Sequence, residues 1–211
     1  MFVRHAESVA NAEERLAGRA DSELTDLGRT QARALHDRLN AEDFRPTHLY
    51  SSPLKRAAET ARIVSGSWPS RIVDWDDLME TGIGVFEGLT WYEIKSRYPE
   101  LGPQAEKTRM YDAVPGAEHA SDKRARSRRI VEEVLARHSN HDTVVLFTHG
   151  GILDWIFAAL MNSERVWSLG SRNTALFDFA IDSEGWRNGD GHDNKSLWRI
   201  ERFNDSDHLR A

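Results

Sequence analysis

The chain is 211 residues long, with 39% hydrophobic residues, 29% charged residues and a net charge of −6, proportions typical of a globular protein with one substantial core. No apolar run approaches the roughly 20 residues that span a bilayer, and no charged-then-apolar leader opens the sequence, so we expect no membrane partner and a cytoplasmic location. The acidic balance argues against a nucleic-acid partner, and the absence of cysteine excludes disulfides and thiol chemistry.

The first half of the chain predicts strands that alternate with helices. A short apolar run ends abruptly at Arg4 and His5, which is typical of a strand end. Thr25 can cap the helix that follows it, because small and apolar residues then recur at helical spacing. Ser52 and Pro53 predict another helix start, with serine as the cap and proline in the first position. In chain order we expect a strand ending at residue 4, a loop over 12–24, a helix over 26–40, a strand over 47–50, a helix over 53–66 and a strand over 71–75.

The second half of the chain contains one irregular region and then a regular pattern. We interpret residues 76–118 as a lid-like insertion, in which Thr90 and Glu93 form a capping box for a short helix. In chain order we then expect a helix over 120–138, a strand over 143–147, a helix over 152–160, and strands over 175–181 and 197–203 joined by a long hairpin loop over 182–196. Strands alternating with helices predict an α/β fold of three layers, α/β/α, with a mostly parallel central sheet and one antiparallel edge strand. No segment reads as a linker, so residues 1–211 are expected to form a single domain.

The densest cluster of basic residues falls within the predicted helix over 120–138. Its members are Lys123, Arg124, Arg126, Arg128 and Arg129. Glu132 and Glu133 follow on the same helix, so we interpret the cluster as a solvent-exposed helix face rather than as a nucleic-acid contact.

Charged side chains follow the ends of four predicted strands. Arg4 and His5 end the first strand, Arg56 follows the second, Glu80 follows the third, and His149 follows the strand over 143–147. Because the carboxyl ends of parallel strands meet at one edge of a sheet, these side chains are expected to converge. Guanidinium groups bind phosphoryl oxygens with paired donors, so this set of residues suits a phosphate ester.

The same residues belong to a longer series of motifs in a fixed order. The series comprises Arg4-His5-Ala6-Glu7-Ser8, Asn11, Arg15, Gly18, residues 24–32, residues 51–56, Glu80, Phe86-Glu87-Gly88, Pro115-Gly116, Glu118, Thr148-His149-Gly150-Gly151 and Asn173. This series resembles the signature of the histidine phosphatase superfamily, in the branch that includes the cofactor-dependent phosphoglycerate mutases. The resemblance spans nearly the whole chain and implies the phosphoglycerate mutase-like form of the α/β fold.

The resemblance implies a role for each predicted site residue. His5 is expected to attack phosphorus and to become transiently phosphorylated. Glu80 is expected to protonate the leaving oxygen and later to activate water, which requires a carboxyl group that can hold a proton. His149 is expected to stabilise the phosphoryl charge, either protonated or as a hydrogen-bond donor. The expected substrate-binding residues are Arg4, Asn11, Gly18, Arg56 and Gly150. The expected substrate is a small-molecule phosphate ester, and neither a metal nor an organic cofactor is expected.

Three other functions remain open from the sequence. A phosphoglycerate mutase would return the phosphoryl group to an intermediate, but such mutases usually carry a longer insertion between the regions of Glu80 and Pro115, which favours hydrolysis. A phosphate-binding or regulatory module without turnover would keep the fold alone. A metallohydrolase is disfavoured because no histidines show paired ligand spacing such as His-x-x-x-His. The sequence is also compatible with a homodimer.

Three residues qualify this interpretation. Glu87 is a rival to Glu80 as the proton donor, although in the family pattern it looks like a structural residue. Ala6 stands where the family usually has glycine, which would alter the turn after His5 if that position needs an unusual backbone angle. Asp154 stands where many relatives carry a basic residue, and its charge is expected to disfavour highly anionic substrates.

Overall fold

The computed structural model describes residues 1–66, 68–188 and 198–210, and its centre is a six-stranded sheet. Its strands are β1 (Phe2–Arg4), β3 (His48–Ser51), β4 (Ile72–Asp74), β6 (Val144–Thr148), β7 (Leu176–Ile181) and β8 (Trp198–Asp205), and a separate two-stranded sheet pairs β2 (Arg15–Leu16) with β5 (Leu89–Thr90). The strands of the main sheet lie in the order β4-β3-β6-β1-β7-β8. The predicted α/β architecture is confirmed.

Strand direction in the sheet follows the prediction of a mostly parallel sheet with antiparallel pairing at one edge. β4, β3, β6 and β1 pair in parallel. β7 runs antiparallel to both β1 and the edge strand β8, so the reversed strand lies one position in from the edge. Parallel strands end at the same side of a sheet, which brings Arg4, Ser51 and Thr148 to one edge.

Helices cover both faces of the sheet. Their bounds are α1 (Val9–Ala12), α2 (Asp26–Ala41), α3 (Lys55–Ser65), α4 (Trp91–Arg97), α5 (Gly102–Thr108), α6 (Ala120–Arg137), α7 (Gly150–Leu160) and α8 (Ser183–Asn188). Successive side chains of a strand point to opposite faces, so Val3 joins the cluster that contains Leu35 of α2, while Phe2 joins the cluster that contains Ile130 and Ile152. The sheet therefore separates two hydrophobic clusters, and each cluster is covered by helices. This is the predicted arrangement of three layers.

Local capping signals were reliable where no other group competes for the cap. Thr25 caps α2 by accepting a hydrogen bond from the Gly28 amide, and Thr90 and Glu93 form the predicted capping box of α4. The predicted cap at Ser52 was wrong, because α3 begins at Lys55 after the cap residue Leu54, whose side chain makes no capping bond. The Ser52 hydroxyl accepts a hydrogen bond from the Leu54 amide, before the helix begins, and also contacts an imidazole of the site described below.

Two predicted loops contain regular structure. Residues 12–24 include the short strand β2, and residues 183–188 of the predicted hairpin loop form α8. Residues 189–196 of that loop lie outside the described residues. Residues 76–118 carry a small hydrophobic cluster of their own, around Phe86, Ile94 and Val114, and their role as a lid stays a prediction. Among the described residues, no helix combines the length and apolar character needed to cross a bilayer.

Candidate active site

A cleft of about 570 Å³ opens at the carboxyl ends of the parallel strands. Seven of the eight residues predicted for the site line this cleft, namely Arg4, His5, Asn11, Gly18, Arg56, Glu80 and Gly150. The eighth, His149, is fully buried behind His5, with the two ring centroids 5.0 Å apart. The topology therefore brings together the side chains that follow four different strands.

His5 is held in a single tautomer. Its Nδ1 lies 2.7 Å from the carbonyl oxygen of Ala6, and because a carbonyl only accepts, Nδ1 must donate its proton there. Burial lowers the pKa of His5 well below its ordinary value of 6.5, and the cations Arg56 and Arg4 lower it further. His5 is therefore neutral near pH 7, with the lone pair on Nε2 available as a nucleophile.

Two guanidinium groups, that of the buried Arg56 and that of the half-buried Arg4, supply the positive charge of the cleft. Arg56 is 1% exposed and donates from Nη2 to the Gly18 carbonyl and from Nη1 to the Ala20 carbonyl, each at 2.8 Å. Arg4 donates from Nη1 to the Ser171 carbonyl, and its buried Nε has no partner among the described residues. Carbonyl partners orient the two cations without adding a negative charge, and Glu80 is the carboxylate that acts most strongly on both. The remaining guanidinium donors favour an oxyanion bound between them.

Glu80 is fixed by the first turn of α7. Its carboxylate accepts hydrogen bonds from the amides of Gly151 and Ile152 at 2.9 Å each, and from its own neighbour Thr81 at 2.7 Å. A Cβ atom at position 151 would lie 2.7 Å from Glu80 Oε1, so only glycine allows this approach. The helix start thus holds the carboxyl group at the edge of the cleft.

His149 forms the wall behind His5. Its Nε2 lies 2.8 Å from the Ser52 hydroxyl, and its buried Nδ1 has no partner in the described part of the chain. Burial lowers the pKa of His149 well below 6.5, followed by the charge of Arg56. A neutral imidazole favours the second of the two predicted roles, hydrogen-bond donation.

Comparison with known proteins decides the family. Residues 1–190 match the family model described as histidine phosphatase superfamily (branch 1). The chain belongs to the histidine phosphatase superfamily. The resemblance inferred from the motif series is confirmed.

Several relatives of this histidine phosphatase are themselves named as phosphatases. It is 28% identical over 213 residues to the metal-independent phosphoserine phosphatase of Arabidopsis thaliana, covering 100% of this chain and 83% of that one. It is 30% identical to phosphoserine phosphatase 1 of Hydrogenobacter thermophilus, covering 83% and 82%. The solved structure of a mycobacterial glucosyl-3-phosphoglycerate phosphatase with VO3 matches with a TM-score of 0.74 and 28% identity, covering 96% of each chain. The protein is a phosphatase of the histidine phosphatase type.

The turn after His5 shows why this histidine phosphatase accepts alanine at position 6. Ala6 is not among the described residues with a positive φ. It is fully buried, and its amide donates to the Thr60 hydroxyl at 3.0 Å. The Asn173 amide group donates to the His5 carbonyl at 3.0 Å and to Asn11 Oδ1 at 3.3 Å. The turn is therefore held by the side chains of Thr60 and Asn173, on two other segments, and needs no glycine.

The close approach of the Glu87 side chain explains why position 18 is occupied by glycine. Gly18 has φ +53°, and a Cβ atom there would lie 2.6 Å from Glu87 Oε1, so the position needs glycine on both counts. Glu87 Oε1 accepts hydrogen bonds from the amides of Arg19 at 3.0 Å and Ile83 at 3.3 Å. Glu87 does not line the cleft, which favours the structural interpretation of this residue over the rival catalytic one.

The basic cluster on α6, predicted as a solvent-exposed helix face, is exposed only in part, because Arg128 and Arg129 are exposed whereas Lys123 and Arg126 are buried. Arg126 is 6% exposed and makes two hydrogen bonds to Glu118, at 2.7 and 2.8 Å. Its Nη1 also donates to the carbonyls of Asp77 and Met79, immediately before Glu80. Arg126 is therefore a positioning residue for the segment that carries Glu80. The helical spacing of Lys123, Arg126 and Ile130 on one face of α6 was the available signal.

Asp154 places a protonatable carboxyl group in the same cleft. Its Oδ1 accepts a hydrogen bond from the Leu169 amide at 2.9 Å. Burial raises the pKa of Asp154 from its ordinary 3.8 to about 7, an increase to which the nearby charge of Glu80 also contributes. The carboxyl group of Asp154, which stands where many relatives carry a basic residue, is therefore only partly charged near neutral pH.

Replacing Asp154 with asparagine is expected to stabilise the protein at alkaline pH. Between about pH 4 and pH 7 the native state keeps a proton that the unfolded chain has lost, so native stability falls as the pH rises through this window. Asparagine retains an acceptor for the Leu169 amide and removes the charge, which is expected to add about 2–4 kcal/mol at pH 8. Denaturant titrations at several pH values measure the free energy of unfolding of both proteins. The difference between Asp154→Asn and the wild-type protein should narrow as the pH falls towards 4.

The exposed Asp37 of α2 supplies the matched control. Asp37→Asn makes the same chemical change at a solvated position and should alter the free energy of unfolding by no more than about 0.5 kcal/mol at pH 5 and at pH 8. A stability gain for Asp154→Asn that is the same at pH 5 and pH 8 would show that this carboxyl group does not titrate in the window.

Proposed function

We propose that the protein hydrolyses small phosphate monoesters through a phosphohistidine on Nε2 of His5. The observation that carries the proposal is the bond from Nδ1 to the Ala6 carbonyl, which leaves the lone pair of a neutral imidazole free on Nε2 in a cleft lined by Arg4 and Arg56. Nε2 forms a bond to phosphorus as the ester P–O bond breaks, and the leaving oxygen takes a proton from Glu80. Water then attacks the phosphohistidine, the P–N bond breaks, and the Glu80 carboxylate takes the proton from water.

The arginines have a defined task in both steps. The phosphoryl group carries its charge on oxygens in the transition state, and Arg4 and Arg56 are already oriented and desolvated before substrate arrives. Preorganised donors of this kind require little rearrangement during the reaction. Asn11 and Gly150 are proposed to contact the same phosphoryl group.

The leaving group is proposed to carry an anionic group of its own, such as a carboxylate. Lys123 is 3% exposed and lines the cleft, yet its ion pair with Asp112 is long, at 3.9 Å. Its Nζ lies 5.1 Å from the centroid of the Trp155 ring, so the ammonium is held between an aromatic face and the cleft. A buried cation with a distant counter-ion favours an anionic ligand, and phosphoserine carries a carboxylate next to its ester.

A matched pair of substrates tests this proposal. O-phosphoserine and O-phosphoethanolamine differ by the carboxylate alone, and we expect kcat/KM to be about 10-fold or more higher for phosphoserine. The Lys123→Met variant should lose most of that preference while it still hydrolyses phosphoethanolamine. Phosphate release is measured with a chelator present, because the mechanism uses no metal.

Other outcomes would contradict specific parts of the proposal. Equal kcat/KM for the two esters in the wild-type enzyme would refute a carboxylate-binding role of Lys123. Interconversion of phosphoglycerate isomers without release of phosphate would favour the mutase. Phosphate binding without turnover of any ester would favour the regulatory module. The cytoplasmic location, the homodimer and the lid-like role of residues 76–118 stay predictions.

A further inference from the structure

Three potential metal ligands meet at the edge of the sheet opposite the active site. His48 begins β3, His138 is the cap residue directly after α6, and Asp142 lies in the turn before β6. One ligand atom from each lies within 4.8 Å of the others. His48 is four residues before Ser52, the contact of His149, so about 13 Å of strand separates this cluster from the catalytic cleft.

One imidazole in the cluster has an unsatisfied nitrogen. His138 is 8% exposed, and its Nε2 lies 3.1 Å from the Tyr50 hydroxyl. Its Nδ1 is buried and has no hydrogen-bond partner among the described residues. The ring centroid of His138 lies 4.4 Å from that of His48. Buried polar atoms without a partner are rare in native proteins, and a bound ion is one of the standard reasons for them.

The carboxylate is already held in place. Asp142 Oδ2 accepts hydrogen bonds from the amide and the hydroxyl of Ser139, both at 2.9 Å, and Oδ1 accepts one from the Thr47 hydroxyl at 3.1 Å. Hydrogen bonds of this kind around a ligand orient it for a metal. The Nδ1 of His48 lies 3.4 Å from Asp142 Oδ1. Tetrahedral coordination with bonds of about 2.0–2.1 Å places ligand atoms about 3.3 Å apart.

We propose that His48, His138 and Asp142 bind one Zn²⁺ ion. Two imidazoles and one carboxylate are a donor set that zinc accepts in tetrahedral geometry, with water in the fourth position. The side chains of His48 and Asp142 are 43% and 22% exposed, which leaves room for that water and a path for the ion. The ion would join β3, α6 and the turn before β6, and so would stabilise the fold without taking part in phosphate chemistry.

Metal binding to the full-length protein tests the proposal. The protein is treated with chelator, desalted and titrated with Zn²⁺ by calorimetry, and in parallel with Co²⁺, whose visible absorption reports tetrahedral coordination. We expect one equivalent of zinc to bind. At about 100 times the dissociation constant, free zinc should raise the melting temperature by about 5–10 °C. Phosphatase activity should be the same with and without the bound ion.

Two ligand variants and one matched control decide the outcome. His48→Ala and Asp142→Asn should both lose the equivalent of zinc and the thermal shift. His141→Ala removes an exposed histidine beside the cluster and should retain both. No binding to the wild-type protein, or binding that persists in Asp142→Asn and in a folded His48→Ala, would overturn the proposal. Loss of binding in His141→Ala to the same extent as in His48→Ala would also overturn it.

Discussion

Replacement of His5 by alanine is expected to lower phosphate release from every ester by about 10⁴-fold or more, because the nucleophile and its covalent intermediate are both removed. The two arginines remain, so the variant should still bind phosphate. The result should not depend on the leaving group, since no ester can react without the imidazole. Phosphate release is measured at saturating substrate, and folding of the variant is checked by its melting temperature.

The covalent intermediate gives this prediction a second readout. Wild-type protein mixed with ³²P-labelled phosphoserine and quenched in base should retain label on a histidine, and His5→Ala should retain none. His119→Ala is the matched control, because His119 is exposed and lies outside the cleft. Residual activity of His5→Ala within 10-fold of wild type would refute His5 as the nucleophile and would return attention to metal-activated water.

Replacement of Glu80 by glutamine is expected to make the reaction depend on the leaving group. An alkoxide is a poor leaving group without a proton, so phosphorylation of His5 by phosphoserine should slow by about 10²–10⁴-fold. p-Nitrophenolate leaves readily as an anion, so phosphorylation by p-nitrophenyl phosphate should slow by less than about 10-fold. Rapid quenching in the first turnover separates this step from hydrolysis of the phosphohistidine, which should slow for both substrates because the base is also lost.

Glu87→Gln tests the rival assignment in the same assay. Glu87 holds two backbone amides, and glutamine can still accept from them through its single side-chain oxygen. We expect no dependence on the leaving group in this variant. If the rate of Glu87→Gln depends on the leaving group and that of Glu80→Gln does not, Glu87 and not Glu80 is the proton donor.

Most of the architecture could be predicted from local patterns. Apolar periods of two and of 3.6 residues predict strands and helices because each element buries one face, and this was enough for the order of the main elements and the parallel sheet, although the short elements β2 and α8 were missed. Two further errors lie where a distant residue competes with a local signal. Ser52 resembles a helix cap, but its hydroxyl contacts His149, ninety-seven residues away. Arg126 resembles a surface cation, but Glu118 and two carbonyls bury it.

The site follows the same division between local and long-range information. By itself, the sequence determined which side chains stand at strand ends, and therefore that arginines, histidines and a glutamate converge at one edge of the sheet. Only the tertiary structure decided how each group is used, because hydrogen bonds depend on distances between segments that are remote in sequence. The tautomer of His5, the helix turn that holds Glu80, and the meeting of His48 with His138 and Asp142 are all set by sheet register and helix packing, on which a one-dimensional pattern carries no information.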